Sequence, residues 1–260
     1  MRMSVSKRTL VGVSVLVITF WFASAVTAKI DPKTVVAIWL LDEGTGKTVK
    51  DTSGNGHDGT IKGDIKWTNG KFENALDFPG NTAGIVEIPH QDSLNLVNMT
   101  LTAWIKISEL PDSIAPIYKV QPGNLRNYAH RVWGGGANPN KYALEFTVGP
   151  AQWKSATGKT IVVDGKWHHV AGTYDQKAIR VYVDGVFEGE KAESGKPDPN
   201  PGPVLIGARS TKGVLDELGL FNEALNEAQI RDIMNLGLSQ ALAVDAQGKL
   251  PIVWGRLKMK

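Results

Sequence analysis

The chain has 260 residues, 42% of them hydrophobic, which suits one large β domain or two smaller ones. Its formal charge of +3 arises in the first 28 residues, where Arg2, Lys7 and Arg8 have no acidic counterpart; taking those three from 29 basic residues leaves 26, against 26 Asp and Glu. A neutral remainder exerts no long-range pull on nucleic acid or an anionic membrane, and the absence of cysteine excludes disulfides, thiolate catalysis, a thiolate zinc site and a lipid anchor on cysteine.

Residues 1–28 combine a basic start, an apolar run from Leu10 to Phe22 and small residues after it, the pattern of a secretory signal peptide. Ala23-Ser24-Ala25 and Val26-Thr27-Ala28 are the alternative cleavage sites, and an uncleaved signal anchor is the competing reading. The apolar run is shorter than the ~20 residues that span a bilayer, so no membrane span is expected after cleavage. The expected destination is secreted, extracellular or in the cell envelope.

Val35–Leu41 is an almost unbroken apolar run and reads as a buried strand ending at Asp42-Glu43-Gly44. Residues 50–60 follow, too rich in Gly and Asn for regular structure and dense in side-chain oxygens. They read either as a polar turn or as a loop for calcium, which takes six to eight oxygens. Further strands are read over 70–78, 85–88 and 101–107, with Leu101, Ala103, Ile105 and Ile107 on one face and Trp104 on the other. Pro111 and Pro116 mark a loop. Tyr128–Trp133 and Tyr142–Val148 read as two strands around a glycine-rich loop that lacks the Lys-Ser or Lys-Thr of a phosphate cradle.

Residues 160–190 hold three strand-length runs separated by Asp164-Gly165 and Asp184-Gly185, and they predict an antiparallel meander. A surface loop over 191–203 precedes a last strand over Gly213–Phe221. One short helix follows, capped by Asn226 with Gln229 as capping-box partner, stapled by Leu225 against Ile230 and ended by Gly237. Residues 238–260 form a tail read either as a terminal hairpin, with Ala241–Val244 as one arm, or as a basic anchor.

The run Gly165-Lys166-Trp167-His168-His169-Val170-Ala171-Gly172-Thr173-Tyr174-Asp175, followed by Val181-Tyr182-Val183-Asp184-Gly185, resembles the LamG-like jelly-roll domains of the concanavalin A-like lectin/glucanase superfamily. The resemblance implies an all-β, two-sheet antiparallel jelly-roll sandwich with one short C-terminal helix, spanning 29–237. Similar domains carry Asp-x-Ser-Gly-Asn-Gly after a first strand ending in Asp-Glu, and a last strand containing Asp-Glu, here Asp216-Glu217. First and last strands are neighbours in them, and several bind a structural calcium. This implies one Ca²⁺ held by Asp42, Asp51, Asn55 and Asp216.

No catalytic residue emerges. A retaining glycosidase needs two carboxylates about 5–5.5 Å apart, whereas the adjacent pairs Asp42-Glu43 and Asp216-Glu217 point to opposite faces. Glu188 and Glu190 have the right interval but follow a hairpin turn. His168 and His169 also face opposite ways, so they cannot chelate one ion, and they read as satisfied structural histidines. No Gly-x-Ser-x-Gly elbow is present. Lectin-like sandwiches stack aromatics on sugar rings and hydrogen-bond the hydroxyls, which makes Tyr128, Arg131, Trp133 and Trp153 (in a loop) ligand candidates, against the alternative that each aromatic is core. The expectation is a non-catalytic recognition module for a polysaccharide, other glycan or extracellular protein, the second class being an envelope interaction protein with no sugar site.

Overall fold

The computed structural model describes residues 29–243 apart from 111, 122–124 and 150–151. The signal segment and most of the tail lie outside the described residues. Among those described, sixteen strands form two antiparallel sheets of eight. In chain order they are β1 (Val35–Trp39), β2 (Thr48–Val49), β3 (Gly59–Lys62), β4 (Lys66–Asn69), β5 (Asn74–Pro79), β6 (Ile85–Ile88), β7 (Met99–Lys106) and β8 (Ala115–Val120). There follow β9 (Arg126–Val132), β10 (Lys141–Val148), β11 (Gln152–Ile161), β12 (Trp167–Tyr174), β13 (Ala178–Val183), β14 (Val186–Ala192), β15 (Val204–Ala208) and β16 (Lys212–Phe221). Two helices follow, α1 (Glu227–Leu236) and α2 (Leu238–Ala243).

Sheet one runs β14-β13-β12-β7-β16-β5-β4, with β1 also on β16; sheet two runs β11-β10-β9-β8-β15-β6-β3-β2. The first and last strands are therefore paired, as the resemblance implies. Strand alternation makes the layers: Leu101, Ala103 and Ile105 of sheet one and Tyr128, Val132, Tyr142, Leu144 and Phe146 of sheet two share one buried core. The helices close sheet one from outside, where Ile230, Ile233, Leu238 and Leu242 pack with Ile38, Ala171, Tyr182 and Phe221. The Asn226–Gln229 capping box forms on both sides, and Gly237 ends α1 at φ 77°.

Four expectations change. Residues 160–190 are no continuous meander: β12, β13 and β14 are one, its hairpin turning at Asp184 and Gly185 with φ 50° and 73°, but the first run belongs to β11 in the other sheet. Asp164-Gly165 is a crossing between layers, where Gly165 N–H donates to Ile107 O. Pro116 lies inside β8 rather than in a loop, across from the positive-φ Gly207 of β15. Trp153 lies on the edge strand β11, whose polar sequence hides its period. Residues 238–243 form a helix rather than a hairpin arm, because Leu238 and Leu242, four apart, both reach the core under α1.

A candidate recognition face on sheet two

The register of β9 and β10 places Ala129 opposite Glu145 and Arg131 opposite Ala143, on the face turned away from the core. Tyr118 of β8 pairs with Ala129, and Trp153 of β11 pairs with Thr147, so both join that face. Plain alternation would bury Arg126 beside Tyr128. The β8–β9 pairing instead steps from Lys119↔Tyr128 to Val120↔Arg126, leaving Asn127 as the extra residue of a bulge. The bulge turns Arg126 outward. Ala115, Ala129 and Ala208 pack with Tyr118 as a floor of small residues beneath the long side chains.

On this floor Arg126 donates from Nε to Tyr118 Oη at 2.9 Å and from Nη1 to Glu145 Oε2 at 3.1 Å. Arg131 Nη1 lies 3.6 Å from the same Glu145 oxygen. Each guanidinium stacks on a tryptophan: Arg126 lies 3.6 Å from the Trp153 ring centroid, and Arg131 lies 4.6 Å from that of Trp133. The charged groups are buried, at 6% exposure for Arg126, 4% for Arg131 and 3% for Glu145, whereas Trp153 is 45% exposed. Burial holds the Arg131 pKa below its ordinary value; Glu145 opposes this, and the positive charges of Arg209 and Arg126 add to it. Arg131 Nε, Arg209 Nε and Trp133 Nε1 are buried donors with no hydrogen-bond partner.

Of the ligand candidates, Arg131, Trp133 and Trp153 thus share one face. Tyr128 does not: it is fully buried in the core, and burial pushes its unpartnered hydroxyl well above the usual tyrosine range. Sequence reading missed Tyr118, Arg126, Glu145 and Arg209. Glu145 was accessible from its odd position in the Tyr142–Val148 run, but Arg126 needed knowledge of the bulge.

The four residues expected around calcium separate into two pairs. Asp51 Oδ1 accepts from the N–H groups of Ile38 and Ser53, and Oδ2 accepts from His57 N–H. Asn55 Nδ2 donates to the carbonyls of Val35 and Val36, both at 3.0 Å. This pair covers the edge of β1 that faces away from β16, a backbone role that already occupies both Asp51 oxygens. Asp216 sits where the edge of β16 changes neighbour, from β5 at Leu215 to β1 at Leu218. Its Oδ2 accepts from Lys71 and Phe72 N–H at 2.8 and 3.0 Å, while Oδ1 is buried without a partner. Burial first, with Glu217 and Asp42 adding, pushes its pKa up to about 8. Asp42 Oδ1 accepts from Asn74 N–H at 3.3 Å beside it. Among the described residues no three His, Asp or Glu side chains converge as a metal site.

The histidine pair does split between faces. His168 bridges Asp184 and Asp164 at 2.8 and 3.1 Å. His169 is not satisfied: both ring nitrogens are buried without partners, its ring stands 5.4 Å from Trp104, and burial lowers its pKa to about 4. Glu188 and Glu190 are tied elsewhere, Glu188 to the backbone of Lys159 and Thr160 and Glu190 to Arg180. A separate open cleft of about 400 Å³ lies beside α1, and its Arg180 is already paired with Asp175.

No curated protein matches the chain in sequence. Among solved structures it is similar to the binding domain of Paraclostridial Mosquitocidal Protein 1, at 15% identity and a TM-score of 0.64 over 78% of this chain and 52% of that one. It is also similar to the receptor-binding domain of botulinum neurotoxin type G, at 12% identity and a TM-score of 0.62 over 79% and 52%. The chain thus spans about half the length of these toxin domains. The third is domain 4 of AbnA, a GH43 extracellular arabinanase from Geobacillus stearothermophilus, solved with arabinotriose; it matches at 22% identity and a TM-score of 0.60 over 78% of this chain and 98% of that one. At these identities the likeness concerns the fold. A family model described as the concanavalin A-like lectin/glucanases superfamily matches residues 80–231, more than half of the sequence, and the chain belongs to that superfamily.

Proposed function

We propose that the chain is an exported, non-catalytic recognition module that binds saccharide on the outer face of sheet two. The observation that carries this reading is the Arg126–Glu145–Arg131 network stacked against Trp153 and Trp133, on the face opposite the shared core. Aromatic rings offer a flat apolar surface to the C–H face of a pyranose or furanose, and guanidinium and carboxylate groups are donors and acceptors for hydroxyls. The similarity to binding domains, one of them solved with arabinotriose, supports a binding role. Export rests on the basic-apolar-small pattern of residues 1–28.

A structural calcium is part of the proposal, held by Asp216 through its unpartnered Oδ1 and by Asp42 beside it, with Asp51 and Asn55 outside the ligand set. A cation there supplies the positive charge that the buried carboxyl lacks. A glycan array with calcium present tests the binding reading. Binding lost in Trp153→Ala but kept in a variant of the cleft beside α1, Glu223→Gln, is the expected result. Failure of every glycan to bind overturns it and leaves the envelope interaction protein.

A further inference from the structure

The charges on the outer face of sheet two do not balance. Arg126 and Arg131 share a single carboxylate oxygen of Glu145, at 3.1 and 3.6 Å, so neither has the two-pronged pairing a guanidinium takes with a carboxylate of its own. Arg209 adds a third positive charge near Arg131, and its nearest carboxylate is Asp112, 3.8 Å away with a side chain 71% exposed. Three guanidiniums thus face two carboxylates, the buried Glu145 shared by Arg126 and Arg131 and the largely exposed Asp112 beside Arg209. Arg131 is 4% exposed and its Nε has no partner; the same holds for the buried Nε of Arg209 and Nε1 of Trp133. A buried cation that is only half partnered is costly to the folded state, and so is each buried donor left unmade. Hydroxyls of a neutral sugar provide acceptors but leave the charge surplus in place. One acidic group answers both deficits.

We infer that the saccharide bound on this face carries an anionic group, a carboxylate or a sulfate ester, seated at Arg131 and Arg209 beside the Trp133 ring. The inference rests on the sugar-binding reading above. The Arg209 side chain is 33% exposed whereas Arg131 is only 4% exposed, so Arg209 is the accessible member of the two. The remainder of the chain is charge-neutral once residues 1–28 are set aside, so no net positive charge adds long-range attraction to that of this patch. That favours a short acidic segment of a glycan over a long polyanion such as nucleic acid, which needs an extended basic surface.

The test is calorimetric titration of the full chain with oligogalacturonate (carboxylate), a sulfated dextran oligomer (sulfate ester), unmodified dextran oligomer and arabino-oligosaccharide (both neutral), and a single-stranded oligonucleotide, at two ionic strengths. Expected is a preference of about tenfold or more for one acidic saccharide over the neutral ones, weakened by salt. Arg209→Gln, at a half-buried position and with the fold checked by circular dichroism, removes that preference. Trp153→Ala weakens all saccharides alike. Equal binding of neutral and acidic saccharides, or an Arg209→Gln variant with its preference intact, overturns the inference and leaves sugar binding standing. Oligonucleotide binding as tight as the acidic sugar also overturns it. Absence of all saccharide binding removes the underlying reading as well.

Discussion

Asp216→Asn tests the most unusual group in the molecule. Asp216 is fully buried, with a pKa raised from 3.8 to about 8. A carboxyl whose folded pKa exceeds its unfolded one binds more protons when folded, so the contribution of Asp216 to stability is fully present below pH 4 and is lost as pH rises through 8. Each pH unit in that window removes about 1.4 kcal/mol, so roughly three units between pH 4 and 7 remove about 4 kcal/mol from this group alone. The amide of Asn keeps an oxygen for Lys71 and Phe72 N–H and carries no charge. In chelator, urea unfolding at pH 5, 6, 7 and 8 is therefore expected to show the variant gaining on the wild type as pH rises, because the buried His130 and His169, whose pKa values are lowered to about 3 and 4, act equally in both proteins and cancel in the difference. At pH 7.5 the variant is the more stable by about 2–4 kcal/mol. Calcium is expected to raise the wild-type melting temperature and leave the variant unchanged. A difference between variant and wild type that does not grow from pH 5 to 8, or a variant that is less stable at pH 7.5, refutes the burial argument. A wild type indifferent to calcium refutes the metal proposal alone.

Tyr128→Phe removes a buried hydroxyl that has no partner, so chemical denaturation should show a change within about 1 kcal/mol, with saccharide binding unaltered; a large loss of binding would return Tyr128 to the recognition face. Gly207 has φ 75°, and a Cβ there would lie 2.0 Å from a ring carbon of Phe78 in the core, so Gly207→Ala is expected to cost about 2–4 kcal/mol by urea unfolding. A cost below about 1 kcal/mol would show that the β15 backbone gives way easily. The Asp184 hydrogen bond raises the His168 pKa above 6.5, a contribution fully present below pH 6.5 and lost as pH rises through the folded value. His168→Gln should abolish that part of the pH slope in thermal melts; an unchanged slope assigns it elsewhere.

Much of this architecture was written in short-range signals. Alternation in Leu101–Ile107 and Tyr142–Val148, the Asp184-Gly185 turn and the Asn226–Gln229 cap all depend on residues within a few positions of each other, and all appear as read. The resemblance carried the pairing of β1 with β16 across the whole chain. Pro116 and the polar run of β11 misled because a proline or a polar residue tolerates a strand once a particular neighbour lies alongside, and that neighbour is distant in sequence. Tertiary structure alone decided the functional detail. The extra residue at Asn127 brings Arg126 out of the core to Tyr118, Glu145 and Trp153, and β1 stands between the Asp51 loop and Asp216. Both outcomes follow from which backbone groups find partners across the sheets, and long-range pairing of that kind leaves no mark on local periodicity.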